Sequence, residues 1–141
     1  MQYQYNDGGR AEAEYRGDAG DCVVRAIAIA TGRPYAEVYD AVSTIARDER
    51  PRKHKRSSAR NGVYRITYQR YLESLGWVWH ATMGIGTGCK VHLRDGELPE
   101  GRLIVRISRH VVAVINGVIH DTGNPSRFGQ RCVYGYFSKN A

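Results

Sequence analysis

Two β-branched runs joined by Asn116-Gly117 constrain the fold of this chain more than any other feature. The runs are 111–115, with the sequence V-V-A-V-I, and 118–119, with the sequence V-I. An Asn-Gly pair tolerates the two positive φ angles of a type I′ turn, which is well suited to a two-residue β-hairpin. The turn also sets the register of the two strands, so the faces on which their side chains lie can be predicted.

The predicted hairpin brings a histidine close to a carboxylate. Because side chains alternate along a strand, His110 and Asp121 share one face as diagonal neighbours, about 7 Å apart at the backbone. His120 falls on the opposite face and is excluded from this pair. A histidine held by a carboxylate is a suitable base for a nucleophile. The alternative is that His110 only ends a strand beside a surface acid.

The order of the remaining elements predicts an α+β fold. Residues 1–20 show no clear period and are expected to be an extended or irregular N-terminal segment. The pattern predicts helices at 22–30, 34–46 and 67–75, and strands at 77–82, 89–93, 103–107 and 131–137 beside the hairpin. The helix 22–30 is apolar nearly all round, so it is expected to be central and buried, packed on a C-terminal antiparallel sheet.

Length and composition predict one domain, 1–141, of ordinary globular character. The sequence has no apolar run of membrane-spanning length and no hydrophobic signal region, so we expect no membrane association and a cytoplasmic location. The three cysteines, Cys22, Cys89 and Cys132, form no C-x-x-C pair. This odd count favours free thiols over a disulfide scaffold or a zinc site, and no cofactor is expected.

A basic loop is predicted at 50–62. The chain carries 21 Lys and Arg against 14 Asp and Glu, a net charge of +7. The candidate partner-binding residues of the loop are Arg50, Arg52, Lys53, Lys55, Arg56 and Arg60. They could give weak, salt-dependent binding of nucleic acid or recruit an acidic substrate. The run lacks interleaved aromatic residues, however, and is more typical of a solvated loop than of a base-reading element.

Cys22 is the natural nucleophile for His110, because it lies at the predicted start of the helix 22–30. Free N–H groups and the helix dipole there stabilise a thiolate, and the same N–H groups can hold a developing oxyanion. The adjacent Asp21 is predicted to cap the helix. Its charge would raise the pKa of the thiol unless capping neutralises it. The alternative for Cys22 is a small buried core residue.

The segment G-D-C-V-V-R-A-I-A at 20–28, followed by the hairpin at 110–121, resembles the papain-like cysteine peptidases. The similarity is to compact bacterial and phage members, including bacteriocin-processing peptidases, and the chain also resembles phage and prophage proteins. The resemblance implies a papain-like fold, a peptide or protein substrate and, for a phage protein, the host cytoplasm. It makes Cys22 the nucleophile, His110 the general base and acid, and Asp121 the residue that orients the imidazole.

The resemblance leaves several assignments open. Asn124 is the second candidate for orienting the imidazole. Members of the superfamily usually carry a Gln shortly before the nucleophile, but this sequence has none between Gln4 and Cys22. Asn6 or the region of Asp18 could serve as the oxyanion-hole donor instead. Peptide cleavage, deamidation and amide transfer all use such a site, and the alternative function is a catalytically inactive basic binding protein of phage origin that engages nucleic acid or a host protein.

The other two cysteines are predicted to be structural. Cys89 and His92 could form part of a metal pair, but alternation along the predicted strand 89–93 favours a half-buried core residue at Cys89. Cys132 begins the last predicted strand. We therefore expect no metal site.

Overall fold

The computed structural model describes residues 1–16, 20–49, 57–84 and 86–139. This part of the chain forms three helices and a six-stranded sheet, which confirms the predicted α+β class. The helices are α1 (Cys22–Thr31), α2 (Tyr35–Arg47) and α3 (Arg65–Ser74). The strands are β1 (Gln2–Tyr5), β2 (Val78–Ala81), β3 (Arg102–Ile107), β4 (His110–Ile115), β5 (Val118–Asp121) and β6 (Val133–Ser138).

The sheet has the order β1-β5-β4-β3-β6-β2 and is built around the predicted hairpin. β4 and β5 are antiparallel with Ala113 opposite His120, as the Asn-Gly turn predicts. Within the N-terminal segment 1–20, Gln2–Tyr5 is extended and pairs in parallel with the outer edge of β5, a pairing that the sequence did not specify. All four residues of β1 are exposed, and the short Q-Y-Q-Y alternation is a weak strand signal because it buries no face.

α1 is the buried central helix that its sequence predicts. Val24 and Ile27 are fully buried, and the helix packs on the sheet face that carries Ile104 and Ala113. Gly32 ends the helix with φ 75°, a left-handed conformation that costs glycine little. A second apolar cluster covers the opposite face of the sheet. Its fully buried members are Leu93, Val105, Ile107, Val114, Ile119 and Val133.

The region around Cys89 differs from its prediction in two respects. Residues 89–93 do not form a strand: His92 makes a single isolated bridge to Cys132. Cys89 is exposed and forms a disulfide with Cys132, so both the free thiol and the half-buried core residue predicted there are wrong. The two cysteines are 43 residues apart, and only folding brings their Cα atoms to 5.9 Å. Cys22 is the free cysteine of the chain.

The carboxylate of Glu49, shortly after the end of α2, contacts the segment that leads into α3 and α3 itself. Glu49 accepts a hydrogen bond from the backbone N–H of Ser57 at 2.8 Å and another from the hydroxyl of Thr67 on α3. A short turn then closes through a bridge between Ser58 and Gly62. These contacts hold the segment 57–64 in place next to the start of α1. None of the helices in the described ranges is both long and apolar enough to cross a bilayer.

Candidate active site

Three side chains from three elements meet at one end of the sheet. Cys22 begins α1, His110 begins β4 and Asp121 ends β5. The Oδ2 atom of Asp121 is 2.6 Å from Nε2 of His110, and the thiol of Cys22 lies close enough to the same imidazole for the two groups to shift each other's pKa. Because Asp121 occupies Nε2, the other ring nitrogen, Nδ1, is the one available to the thiol. The structure therefore brings together the three residues that the sequence proposed as catalytic.

The electrostatics of the pair favour a thiolate next to an imidazolium. Burial raises the pKa of the Cys22 thiol, but the hydrogen bond and charge of His110, the N–H of Val111 and the charge of Arg25 outweigh it and hold that pKa below its ordinary value. Burial lowers the pKa of His110, whereas its contacts with Asp121 and Cys22 raise it to about 9. A lowered thiol pKa and a raised imidazole pKa both widen the pH range in which the two groups are charged.

Asp121 is suited to remain ionised beside the histidine. Burial raises the pKa of its carboxyl, but the hydrogen bond and charge of His110, the N–H of Thr122 and the charge of Arg25 lower it below its ordinary value. Only 6% of the side chain is exposed, compared with 21% for His110. The carboxylate is thus shielded from water on the side away from the imidazole, which favours a fixed ring orientation.

Arg25 connects α1, which begins at Cys22, to β5, which ends at Asp121. Its Nη2 atom is 3.5 Å from Oδ1 of Asp121, and its Nη1 atom pairs with Asp21 at the start of α1. The sequence contains it in the segment that resembles a peptidase motif, three residues after Cys22. One turn of helix therefore places the thiol and this cation on neighbouring positions facing the hairpin.

Asp21 occupies the N-cap position of α1 but its side chain does not cap the helix. The carboxylate instead lies 2% exposed among Arg10 at 3.2 Å, Arg25 and the hydroxyl of Tyr35. The predicted capping role is wrong, because two guanidinium groups and a phenol supply stronger partners than backbone N–H groups. Capping was expected to neutralise the charge of Asp21 and so to prevent it from raising the pKa of the Cys22 thiol. The two guanidinium groups offset that charge instead.

A cavity of about 520 Å³ opens in front of the Cys22–His110 pair. Asn61, Gly62 and Val63 form part of its wall, opposite the strand end that carries Ile107 and His110. Gly20 lies where the chain before α1 meets the segment that carries Asn61: a Cβ atom at Gly20 would come within 3.0 Å of the carbonyl oxygen of Asn61. The close approach of these two backbones narrows the cavity next to the nucleophile. Space for a substrate thus exists on the side of the pair where the thiol lies.

Tyr68 is a cavity residue that the sequence analysis did not identify. It lies on α3, is 2% exposed, and its hydroxyl has no hydrogen-bond partner within the ranges that the structure describes. Leaving a buried hydroxyl unpaired costs about 1–3 kcal/mol. The helical spacing of Tyr68, Tyr71 and Leu72 predicts a core face, so nothing in the pattern distinguished this tyrosine from its neighbours.

In the described part of the chain, neither of the two asparagines named as secondary candidates has a side-chain hydrogen bond to Cys22 or His110. Asn124 lines a separate hollow next to His110 and Asp121, but its Oδ1 atom accepts the N–H of Ser126 at 3.1 Å. Asn6 lies on the other side of the hairpin, with Nδ2 3.4 Å from Nδ1 of His120. The imidazole of His110 is therefore hydrogen-bonded to Asp121, whereas the side chain of Asn6 is hydrogen-bonded to His120.

The basic loop is described only in part. Arg50, Arg52, Lys53, Lys55 and Arg56 lie outside the described residues. Arg60 lies inside them, and its Nη2 atom donates to the backbone carbonyl of Arg16 at 3.1 Å. Partner binding through this loop therefore stays a prediction.

A metal centre finds no support in the described ranges, which contain no cluster of three or more His, Cys, Asp or Glu side chains able to hold an ion. Cys89 and His92, the candidate metal pair, are each engaged with another residue. The sulfur of Cys89 is bonded to Cys132, and Nδ1 of His92 is 3.2 Å from Oε1 of Glu97.

No protein-family model, curated protein or solved structure matches this chain. The papain-like resemblance therefore remains a matter of the two short segments and the order of the elements.

Proposed function

We propose that this protein is a cysteine-dependent acyl hydrolase or transferase, most simply a peptidase of papain-like type. The observation that carries the proposal is the arrangement of three side chains, in which Asp121 is hydrogen-bonded to His110 and the imidazole interacts with the thiol of Cys22. A thiol, an imidazole and a carboxylate in this order supply a nucleophile, a proton carrier and a group that orients the carrier. The cavity next to the thiol offers space for the acyl group.

The first half of the reaction forms a thioester. The thiolate of Cys22 attacks the carbonyl carbon of the substrate, a C–S bond forms, and the carbonyl oxygen becomes an oxyanion. N–H groups of the first turn of α1 have no partner within the helix and can stabilise that oxyanion. The imidazolium of His110 then donates its proton to the leaving nitrogen, the C–N bond breaks and a neutral amine departs.

The second half regenerates the thiolate. Neutral His110 removes a proton from water, or from an acceptor amine in a transfer reaction, as the oxygen or nitrogen attacks the thioester carbon. The C–S bond breaks, so the products are the acid or the new amide, the thiolate and the imidazolium. Asp121 stays ionised throughout and stabilises the imidazolium of the resting state.

The rate of Cys22 alkylation by iodoacetamide as a function of pH tests the proposal. The disulfide removes Cys89 and Cys132 from the reaction, and Cys22→Ser gives the background. We expect half-maximal reactivity well below the ordinary thiol pKa of about 8.5, and a return towards that value in His110→Ala. His120→Ala is the matched control, because this histidine lies on the other face of the hairpin and contacts Asn6.

An ordinary pH profile in the wild type, unchanged in His110→Ala, would contradict the proposal and make Cys22 a core residue. The alternative of a basic binding protein rests on the loop at 50–62 and has no contact in the described residues to favour it. Titration with random duplex DNA at low salt tests that alternative separately.

A further inference from the structure

The cavity in front of Cys22 is strongly cationic. Among the fourteen lining residues that the structure describes, four are arginines and none is an aspartate or a glutamate. Arg25 is already paired with Asp21 and Asp121. The remaining three are Arg65, Arg106 and Arg109. No carboxylate of the described chain forms an ion pair with any of them.

These arginines reach the cavity from different elements. Arg65 begins α3, and its guanidinium lies 4.8 Å above the centre of the Trp79 ring, which limits its freedom. Arg106 is half-buried near the end of β3, and the exposed Arg109 lies in the turn before His110. Three cations from three segments around one cavity create a positive potential at the position where a substrate must bind.

Tyr68 provides an independent observation in the same place. Its nearly inaccessible hydroxyl is without a partner in the described part of the chain, as reported above. Burial raises the pKa of this phenol to about 12, while the charges of Arg106 and Arg65 act to lower it and that of Cys22 acts to raise it. The hydroxyl is therefore a neutral donor that lies within electrostatic range of two arginines and the nucleophile.

We propose that this cavity binds a carboxylate of the substrate close to the scissile carbonyl, which makes acidic peptides the substrate class. Arg106 and Arg65 pair with the carboxylate, and Tyr68 donates a hydrogen bond to it. Guanidinium groups suit this role because they present several N–H donors in a plane that matches a carboxylate. The inference rests on the proposed function, since it assigns the recognition group of the same site.

Two alkylating reagents of similar size test the inference directly. Iodoacetate and iodoacetamide both transfer their CH₂ carbon to the thiolate with loss of iodide, but only iodoacetate carries a carboxylate. The measured quantity is the ratio of the two rate constants at Cys22. We expect Arg106→Gln and Arg65→Gln each to lower the ratio by about tenfold, and Tyr68→Phe to lower it less. The imidazolium of His110 also attracts iodoacetate. The change in the ratio between the wild type and each variant is therefore compared, and not the ratio itself.

Arg70→Gln is the matched control. Arg70 is exposed on the same helix as Arg65 and does not line the cavity, so its removal lowers the net charge equally without changing the ratio. An unchanged ratio in the double variant Arg65→Gln/Arg106→Gln would overturn the inference. The pH profile of the rate with neutral iodoacetamide reports thiol activation. A failure of the proposed function would therefore appear in that profile, whereas a failure of the present inference would appear in the ratio of the two rates.

Peptide recognition is tested with a pair of peptide vinyl sulfones that carry Glu or Gln next to the reactive group. We expect the Glu reagent to label Cys22 about tenfold faster, and we expect this preference to disappear in Arg106→Gln. Equal labelling by the two reagents in the wild type would overturn the assignment to acidic peptides, even if the ratio for the small reagents responds as expected.

Discussion

Arg25 on α1 lies 3.5 Å from Asp121 at the end of β5, so an ion pair joins the helix that begins at Cys22 to the hairpin that carries His110. The same guanidinium also pairs with the buried Asp21. Both carboxylates are nearly inaccessible to water, with 1% and 6% of their side chains exposed. A single cation thus contributes to the fold and to the alignment of the candidate site.

The first prediction concerns the stability that Arg25 provides. Arg25→Gln leaves two buried carboxylates with one fewer cation, so we expect the free energy of unfolding to fall by about 3 kcal/mol. Arg33→Gln removes an exposed i,i+4 pair with Glu37 and should cost less than about 1 kcal/mol. Urea denaturation followed by circular dichroism measures both. Equal losses in the two variants would show that the Arg25 contacts do not hold the helix to the hairpin.

The second prediction concerns which residue holds the imidazole. Asp121→Asn removes a charge that raises the pKa of His110, so that pKa should fall from about 9 towards 6.5. NMR titration of the imidazole C–H signals measures the shift. Asn124→Ala is the control, because Asn124 is engaged by the N–H of Ser126 and should leave the titration unchanged. A comparable shift in Asn124→Ala would instead identify Asn124 as the orienting residue.

The hairpin and its His–Asp pair could be predicted because they depend on local chemistry. Asn116-Gly117 determines the turn, the turn determines the register, and alternation then brings His110 and Asp121 together. No local rule places Cys22 next to them. That contact joins the start of α1 to a strand end far along the chain. It was suggested by the chemistry of a cysteine at a helix start and by the resemblance to a peptidase motif.

The features that the sequence did not predict depend on long-range contacts or on polar residues. β1 is an exposed strand of Gln and Tyr that is recognisable only once the edge of β5 is in place. Cys89 and Cys132 lie in separate segments that the β-sheet brings together. The cluster of Arg65, Arg106 and Tyr68 around the cavity likewise combines residues from α3 and β3, each of which is unremarkable within its own element.

The third prediction is a pH dependence of stability that isolates the His110–Asp121 pair. In a Cys22→Ala background, the raised pKa of His110 gives stability that is fully present below its ordinary value of 6.5 and is lost as the pH rises through the folded value. The lowered pKa of Asp121 gives stability that is present above its ordinary value of 3.8 and is lost as the pH falls through the folded value. The pair should therefore contribute most between these two limits, from 3.8 to 6.5.

The measurement is the difference in unfolding free energy between Cys22→Ala and Cys22→Ala/Asp121→Asn across the pH range. We expect a difference of about 2 kcal/mol at pH values between about 4 and 6 that declines as the pH rises through the folded pKa of His110 in this background. His120→Ala in the same background should show no such decline, because His120 lies on the other face of the hairpin. A difference that does not vary with pH would contradict the ion pair.

The last prediction concerns the disulfide between Cys89 and Cys132. The bond closes a loop across a separation of 43 residues, for which loop entropy predicts a stabilisation of about 4 kcal/mol. The variant Cys89→Ser/Cys132→Ser should lose about this amount in urea denaturation, and the wild type should lose it when a reductant is added. Iodoacetamide labelling of Cys22 should remain unchanged below the unfolding transition, since the disulfide does not line the cavity in front of the thiol.

Thiol counting provides the direct check on this bond. We expect one reactive thiol in the unfolded, unreduced protein and three after reduction, because Cys22 is the free cysteine. Disulfides are typical of oxidising compartments, whereas the sequence favours the cytoplasm. Trapping the thiols in intact cells before lysis distinguishes these locations: one accessible thiol indicates an oxidising compartment, and three indicate the cytoplasm. Three thiols in the purified, unreduced protein would contradict the bond itself.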